Sequence, residues 1–131
     1  MKKIKYGVIG LGWFGEKHLE ALSGLPNVEL YSLCTRNPAR LAEVGKTFNV
    51  SQLHTDYHRM LADPNLDAVS VVTMWDQHAA PTLAALQAGK HVFLEKPMAS
   101  TVADCDAIVD AAKKANGSFM VGHICRFNPR Y

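Results

Sequence analysis

Gly10, Gly12 and Gly15 stand in the spacing Gly-x-Gly-x-x-Gly. They directly follow a short, mostly apolar run, Ile4 to Ile9, and lead into a helical pattern from Phe14 to Leu22 with Leu19 and Leu22 on one face. Alone, the glycine spacing is weak. Between a strand and a helix, with a second alternating strand at Val28 to Cys34, it sits in the context the motif requires. Gly10 permits a tight turn, Gly12 has no Cβ to keep a pyrophosphate off the backbone, and Gly15 lets the helix lie close on the sheet. The helix start then offers free N–H groups and a positive dipole end to phosphate. The bland alternative is a glycine-rich turn with no ligand.

The rest of the chain alternates in the same way. Asn37-Pro38 reads as an N-cap followed by proline at the first helical position, opening a helix to about Phe48. A weak strand at Gln52 to His54 precedes a short helix with Thr55 as its cap. Ala68 to Thr73 is nearly continuous in apolar residues, as a strand covered on both faces should be. Pro81 to Ala88 reads as a helix stopped by Gly89, and His91 to Glu95 as a strand. Thr101 and Asp104 form a weak capping box for a helix ending at Asn116-Gly117, and Ser118 to Gly122 is a last strand. Met60, Leu61 and Phe48 read as core. Strands and helices taking turns predict an α/β fold: a doubly wound, mostly parallel sheet in three αβα layers.

Composition narrows the function classes. The 131 residues suit one domain, 48% are hydrophobic, and 14 Lys and Arg against 12 Asp and Glu leave a formal charge of +2. That excess is too small and scattered for a nucleic-acid surface. No apolar run is long enough to span a membrane. Cys34, Cys105 and Cys125 are odd in number and lack a CxxC spacing, which favours reduced thiols in a cytoplasmic protein over disulfides or zinc. The basic start, Met1 to Lys5, runs into glycines and then Glu16-Lys17-His18, so it reads as a first strand, not a leader. No GxSxG surrounds any serine, and His54 and His58 read as surface residues without an HExxH pattern.

Three further segments carry candidate chemistry. Past the second strand, where an NAD site usually has a carboxylate about 20 residues beyond the glycines, the chain has Thr35-Arg36. A carboxylate would repel a 2′-phosphate, whereas a hydroxyl and a forked guanidinium would receive it, so NADP is favoured and NAD remains an alternative. A solvated surface charge is the plain reading of Arg36. Glu95-Lys96-Pro97 closes the fifth strand, at the end of a parallel sheet where ligands bind. Lys96 is of a type suited to acid/base work on an alcohol, although a strand-end lysine is more often a solvated charge. Pro97 permits a cis bond. His78, in the loop after the central strand, either touches cofactor or substrate or caps the next helix.

Taken together, Gly10 to Gly15, Glu95-Lys96-Pro97, and Val121-Gly122-His123 through Arg126-Phe127-Asn128-Pro129 to Tyr131 resemble the Gfo/Idh/MocA oxidoreductases over essentially the whole chain. The resemblance implies a Rossmann domain over residues 1–123 that binds NAD or NADP. Residues 124–131 would begin the connection to a second α/β domain that holds a sugar or polyol and lies beyond this chain. It also implies that Lys96 is catalytic or substrate-binding at the nicotinamide, with Glu95 and Pro97 lining the cleft. Trp13 and Phe14 belong to the cofactor loop. The family loop Thr-Pro-Asn-x-x-His appears here as Thr73-Met74-Trp75-Asp76-Gln77-His78; Thr73 and His78 match, and Met74 and Trp75 do not.

The function expected is reversible hydride transfer between nicotinamide and a hydroxyl-bearing carbon of a sugar, inositol or related polyol. This chain would be the cofactor-binding part, inactive alone, and the full-length protein is expected to be a homo-oligomer. Two rivals stand beside it: a non-catalytic NAD(P)-binding or sensing module, and a Rossmann-like domain for another nucleotide ligand such as S-adenosylmethionine.

Overall fold

A computed structural model describes residues 1–131. In chain order the elements are β1 (Ile4–Ile9), α1 (Trp13–Ser23), β2 (Val28–Cys34), α2 (Pro38–Phe48), β3 (Gln52–His54), α3 (Tyr57–Leu61) and β4 (Ala68–Val71). A 3₁₀ turn at Trp75–Gln77 leads to α4 (Ala79–Gln87), β5 (His91–Glu95), α5 (Val102–Lys114), β6 (Phe119–Gly122) and a last 3₁₀ turn, Ile124–Phe127. The six strands lie in the order β3-β2-β1-β4-β5-β6, and every pairing is parallel. The sheet is therefore wholly parallel, where the sequence predicted a mostly parallel one. The chain winds outward from β1 to β3 and then returns to β4, so order reverses between β1 and β4. A crevice opens at the carboxyl ends of the strands at such a switch point.

Alternation along the strands sorts the core into two layers. Val8, Leu33 and Val72 face Leu19 of α1 and Leu41 and Val44 of α2. Ile9, Cys34, Val69, Val71, Val92 and Leu94 face the other way, among Met60, Leu86 and Ile108 of α3, α4 and α5. Leu19, Val44, Leu94 and Ile108 are fully buried. Each such side chain contributes about 1.5–3 kcal/mol through apolar burial.

The caps follow the residue types, with corrections. Asn37 accepts the Arg40 N–H at 3.1 Å. Thr101 accepts the Asp104 N–H at 3.1 Å and donates its hydroxyl to the Asp104 carboxylate at 2.9 Å. The cap of α3 is Asp56, not Thr55: its carboxylate accepts the His58 N–H at 2.9 Å, a charged acceptor at the positive end of the helix. β4 ends at Val71 and not Thr73, because the chain after Val72 turns against Gly10. α4 begins at Ala79, ahead of Pro81, which fits the first turn where a missing N–H costs nothing. α5 ends at Lys114 because Ala115 is extended (ψ 149°).

All three cysteines are free thiols, and they differ in exposure. Burial, helped by the nearby Asp56 carboxylate, pushes the Cys34 thiol from 9.0 up to about 12. A thiol-specific reagent near pH 8 is expected to label exposed Cys125 first, then Cys105, and Cys34 only on unfolding. Because the folded value exceeds the unfolded one, this group's stabilisation is complete below pH 9 and declines as pH rises from 9 towards 12. Equal labelling rates for Cys34 and Cys125 in the native protein would contradict this.

Candidate dinucleotide-binding site

The glycine loop joins β1 to α1 at the switch point. Gly10 has φ +99°, and a Cβ there would lie 2.5 Å from the Val72 carbonyl oxygen. Only glycine takes that turn without strain. A Cβ on Gly15 would lie 2.2 Å from the Gly10 carbonyl oxygen, so its absence lets α1 drop onto the sheet. Gly12 differs from both. Its φ is −73°, and nothing lies within 4 Å of where its Cβ would be. It is also the N-cap of α1, and no side chain closes that helix end. By contrast, α2, α3 and α5 are each closed by their own Asn, Asp or Thr. Open space, bare amides and a positive helix end are the donor set a pyrophosphate needs.

Arg40, which sequence reasoning passed over, braces this loop. Its Nε donates to the Leu11 carbonyl at 2.8 Å, and its guanidinium pairs with Glu16 at 2.8 Å and Glu43 at 3.0 Å. Hydrogen bonds to Glu16 and then Glu43 raise its pKa further. The acidic residue in the first turn of α1 is thus offset by a cation. Trp13 is exposed with the Lys17 ammonium 5.9 Å from its ring, while Phe14 turns its ring inward against His18.

At the end of β2, the Thr35 N–H donates to the His54 carbonyl at 3.2 Å. Exposed Arg36 donates from Nη2 to the Gln77 side-chain oxygen at 2.9 Å. The Thr73 hydroxyl donates to the Gln77 carbonyl at 3.1 Å. Gln77 therefore links the loops after β2 and β4, a role its position in the sequence did not disclose. Met74 and Trp75 are exposed on that loop.

His78 stands at the N-cap position of α4, as one reading of the sequence had it, but its side chain makes no hydrogen bond that closes the helix. Its ring is 2% exposed, with Nδ1 2.7 Å from the Pro97 carbonyl and Nε2 3.0 Å from the Thr73 carbonyl. The imidazole is occupied in tying the β4 loop to the segment after β5. The Lys96–Pro97 bond is cis. Lys96 is exposed and its ammonium enters no ion pair, whereas Glu95 is 5% exposed. Glu95 receives the Lys96 N–H at 3.1 Å and the His18 ring N–H at 3.0 Å. His18 was not singled out in the sequence, though it falls three residues after Gly15, on the same face of α1.

Register aligns Ile9 with Cys34 and Val71, and Val71 with Leu94. The Gly10–Gly15, Thr35–Arg36, Thr73–His78 and Glu95–Pro97 segments consequently share one edge of the sheet. Two surface depressions lie elsewhere: one on the sheet face lined by Tyr6, Phe93 and Met120, the other between α4 and α5.

An all-parallel sheet ordered 321456, with a glycine loop at its switch point, defines a dinucleotide-binding Rossmann domain. Residues 4–123 match the family described as "Oxidoreductase family, NAD-binding Rossmann fold", and the chain belongs to that family, Gfo/Idh/MocA. The chain is 36% identical over 98% of its length to 4-carboxy-2-hydroxymuconate-6-semialdehyde dehydrogenase of Sphingobium sp., covering 41% of that protein. It is 34% identical over 98% of its length to myo-inositol 2-dehydrogenase of Thermotoga maritima, covering 38% of it. The fold superposes on scyllo-inositol dehydrogenase of Lactobacillus casei, solved with NAD(H) and scyllo-inositol, with a TM-score of 0.92 at 30% identity, over 98% of this chain and 38% of that one. A 3-ketoreductase of Actinomadura kijaniata solved with NADP gives a TM-score of 0.90 at 25% identity, over 98% of this chain and 41% of that one. The chain thus spans about two fifths of the length of these relatives. No helix is long and apolar enough to cross a membrane.

Proposed function

We propose that this chain is the cofactor-binding part of an oxidoreductase that moves hydride between a nicotinamide cofactor and a hydroxyl-bearing carbon of a sugar, inositol or related polyol. One observation carries the reading: the order of groups along the carboxyl edge. Arg36 follows β2, the open Gly12 position follows β1, and Lys96 follows β5, two strands further on from β1. Two strand spacings are about 10 Å, so adenosine, pyrophosphate and nicotinamide each meet a matching group in sequence. In this reading Thr35 and Arg36 hold the adenosine ribose, and Gly10 to Gly15, with Trp13 and Phe14, supply the bare loop. Thr73 and His78 shape the wall, and Glu95 and Pro97 set the backbone of Lys96.

Nicotinamide, when bound, supplies or accepts the hydride. The Lys96 side-chain nitrogen binds the reacting oxygen. In the oxidising direction its amine form takes the hydroxyl proton, and in the reducing direction its ammonium returns it. The substrate is held by a part of the enzyme outside these residues, in a cytoplasmic homo-oligomer. NADP is the preferred cofactor, since the end of β2 offers a cation and no carboxylate. NAD is the second reading, favoured by the NAD(H) in the Lactobacillus casei relative.

Fluorescence titration of the chain with NADPH and NADH tests both points. Arg36→Ala is expected to weaken NADPH about tenfold or more, the size of one charge-assisted hydrogen bond, and to leave NADH unchanged. Equal losses for the two would assign Arg36 no part in the choice. Failure of either to bind, with binding of S-adenosylmethionine instead, would end the oxidoreductase reading. A sensing module would bind coenzyme yet belong to a full-length protein without turnover.

A further inference from the structure

An unbroken line of polar side chains crosses the sheet face beneath α1. The Tyr6 hydroxyl lies 3.1 Å from the Ser70 hydroxyl, which lies 3.1 Å from His18 Nδ1. His18 Nε2 lies 3.0 Å from Glu95 Oε1, and Glu95 Oε2 accepts the Lys96 backbone N–H at 3.1 Å. One assignment of protons satisfies every member. Tyr6 donates to Ser70, Ser70 donates to Nδ1, and Nε2–H donates to the carboxylate. Burial raises the Tyr6 pKa, with the Ser70 hydrogen bond opposing in part, so the phenol keeps the proton this direction requires. Phe14 and Phe93 stand edge-on to the His18 ring, each at 5.5 Å, and fix its plane.

The arrangement is costly to build from buried polar groups. Ser70 is 1% exposed and Glu95 5%. A buried carboxylate is tolerated only when its oxygens are hydrogen-bonded, and here both are. The two donors come from different elements: one from the helix whose N-terminus faces the phosphate position, the other from the residue assigned to the reacting oxygen.

We infer that His18 is a positioning residue, which orients Glu95 and through it the backbone of Lys96, and so makes the phosphate-facing helix and the lysine segment one rigid unit. The inference rests on the assignment of Lys96 in the proposed function. His18 itself touches neither cofactor nor substrate.

The test compares His18→Leu, His18→Asn and His18→Gln. A glutamine amide reaches the Nε2 position and can donate to Glu95, whereas an asparagine amide stays on the Ser70 side. In ¹⁵N–¹H spectra of the chain, the Lys96 amide is expected to move upfield in the Leu and Asn variants and to return in Gln. In the intact oxidoreductase, kcat is expected to fall about 100-fold for Leu and Asn, the scale of a small misplacement of a reacting group. KM should stay within about twofold, with most of kcat recovered in Gln. If the leucine variant does not fold, the Asn and Gln pair decides. An unmoved Lys96 amide, or equal behaviour of Asn and Gln, overturns the inference. Wild-type chain that binds no pyridine coenzyme would instead sink the functional reading, and the amide shift would still report on His18.

Discussion

Gly12→Ala is expected to leave the domain folded and to remove most of its coenzyme affinity, while Gly15→Ala is expected to damage the fold itself. The difference lies in what a methyl group would meet. At Gly12 the backbone angle suits any residue and no protein atom lies within 4 Å of the new Cβ. Alanine there stiffens the unfolded chain and is neutral or stabilising by up to about 1 kcal/mol. Its methyl occupies the space a phosphate oxygen needs beside the uncapped end of α1. Coenzyme Kd is expected to rise at least about tenfold, the equivalent of about 1.4 kcal/mol. At Gly15 the Cβ would press on the Gly10 carbonyl oxygen, which is rigid backbone. Lifting α1 to relieve it is expected to cost about 1–3 kcal/mol. Urea unfolding and fluorescence titration of both variants check the pair. Unchanged affinity in Gly12→Ala would mean that the pyrophosphate does not lie where this loop is open.

Lys96→Ala in the intact oxidoreductase is expected to lower kcat by about 10²- to 10⁴-fold, the range for loss of a general acid or base. The coenzyme Kd should hardly change. The side chain is exposed and joins no ion pair, so its removal leaves no buried group unpaired and the fold should be untouched. Lys96→Arg is not expected to restore the rate, because a guanidinium keeps its charge and does not give up a proton. Steady-state kinetics beside direct coenzyme titration separate the two effects. Normal turnover in Lys96→Ala would remove this residue from the proton transfer.

Much of the fold was legible because its determinants are local. The Asn37-Pro38 start of α2, the Thr101 cap of α5 and the Gly89 stop of α4 each depend on residues a few positions apart. Strand ends were less legible. β4 stops at Val71 because the chain must turn against Gly10, a residue far earlier in the chain, and nothing in the run from Ala68 to Thr73 records that contact. The Thr55 cap failed for a simpler reason, since an equally local and charged competitor stood one residue on.

The candidate site divides along the same line. The sequence alone determined the class of chain, because glycine spacing, strand-end Glu-Lys-Pro and alternating elements are written in short, contiguous words. It also brought Lys96 and Arg36 forward by their chemistry. How those groups are held is set by the assembled fold. His78 spends its ring on the Pro97 and Thr73 carbonyls, Arg40 braces the Leu11 carbonyl, and Glu95 is gripped by His18 from a helix far away in the chain. Hydrogen bonds of this kind join residues whose separation along the chain is arbitrary. Their partners are chosen by which strands lie side by side, and that choice is made only when the sheet is assembled.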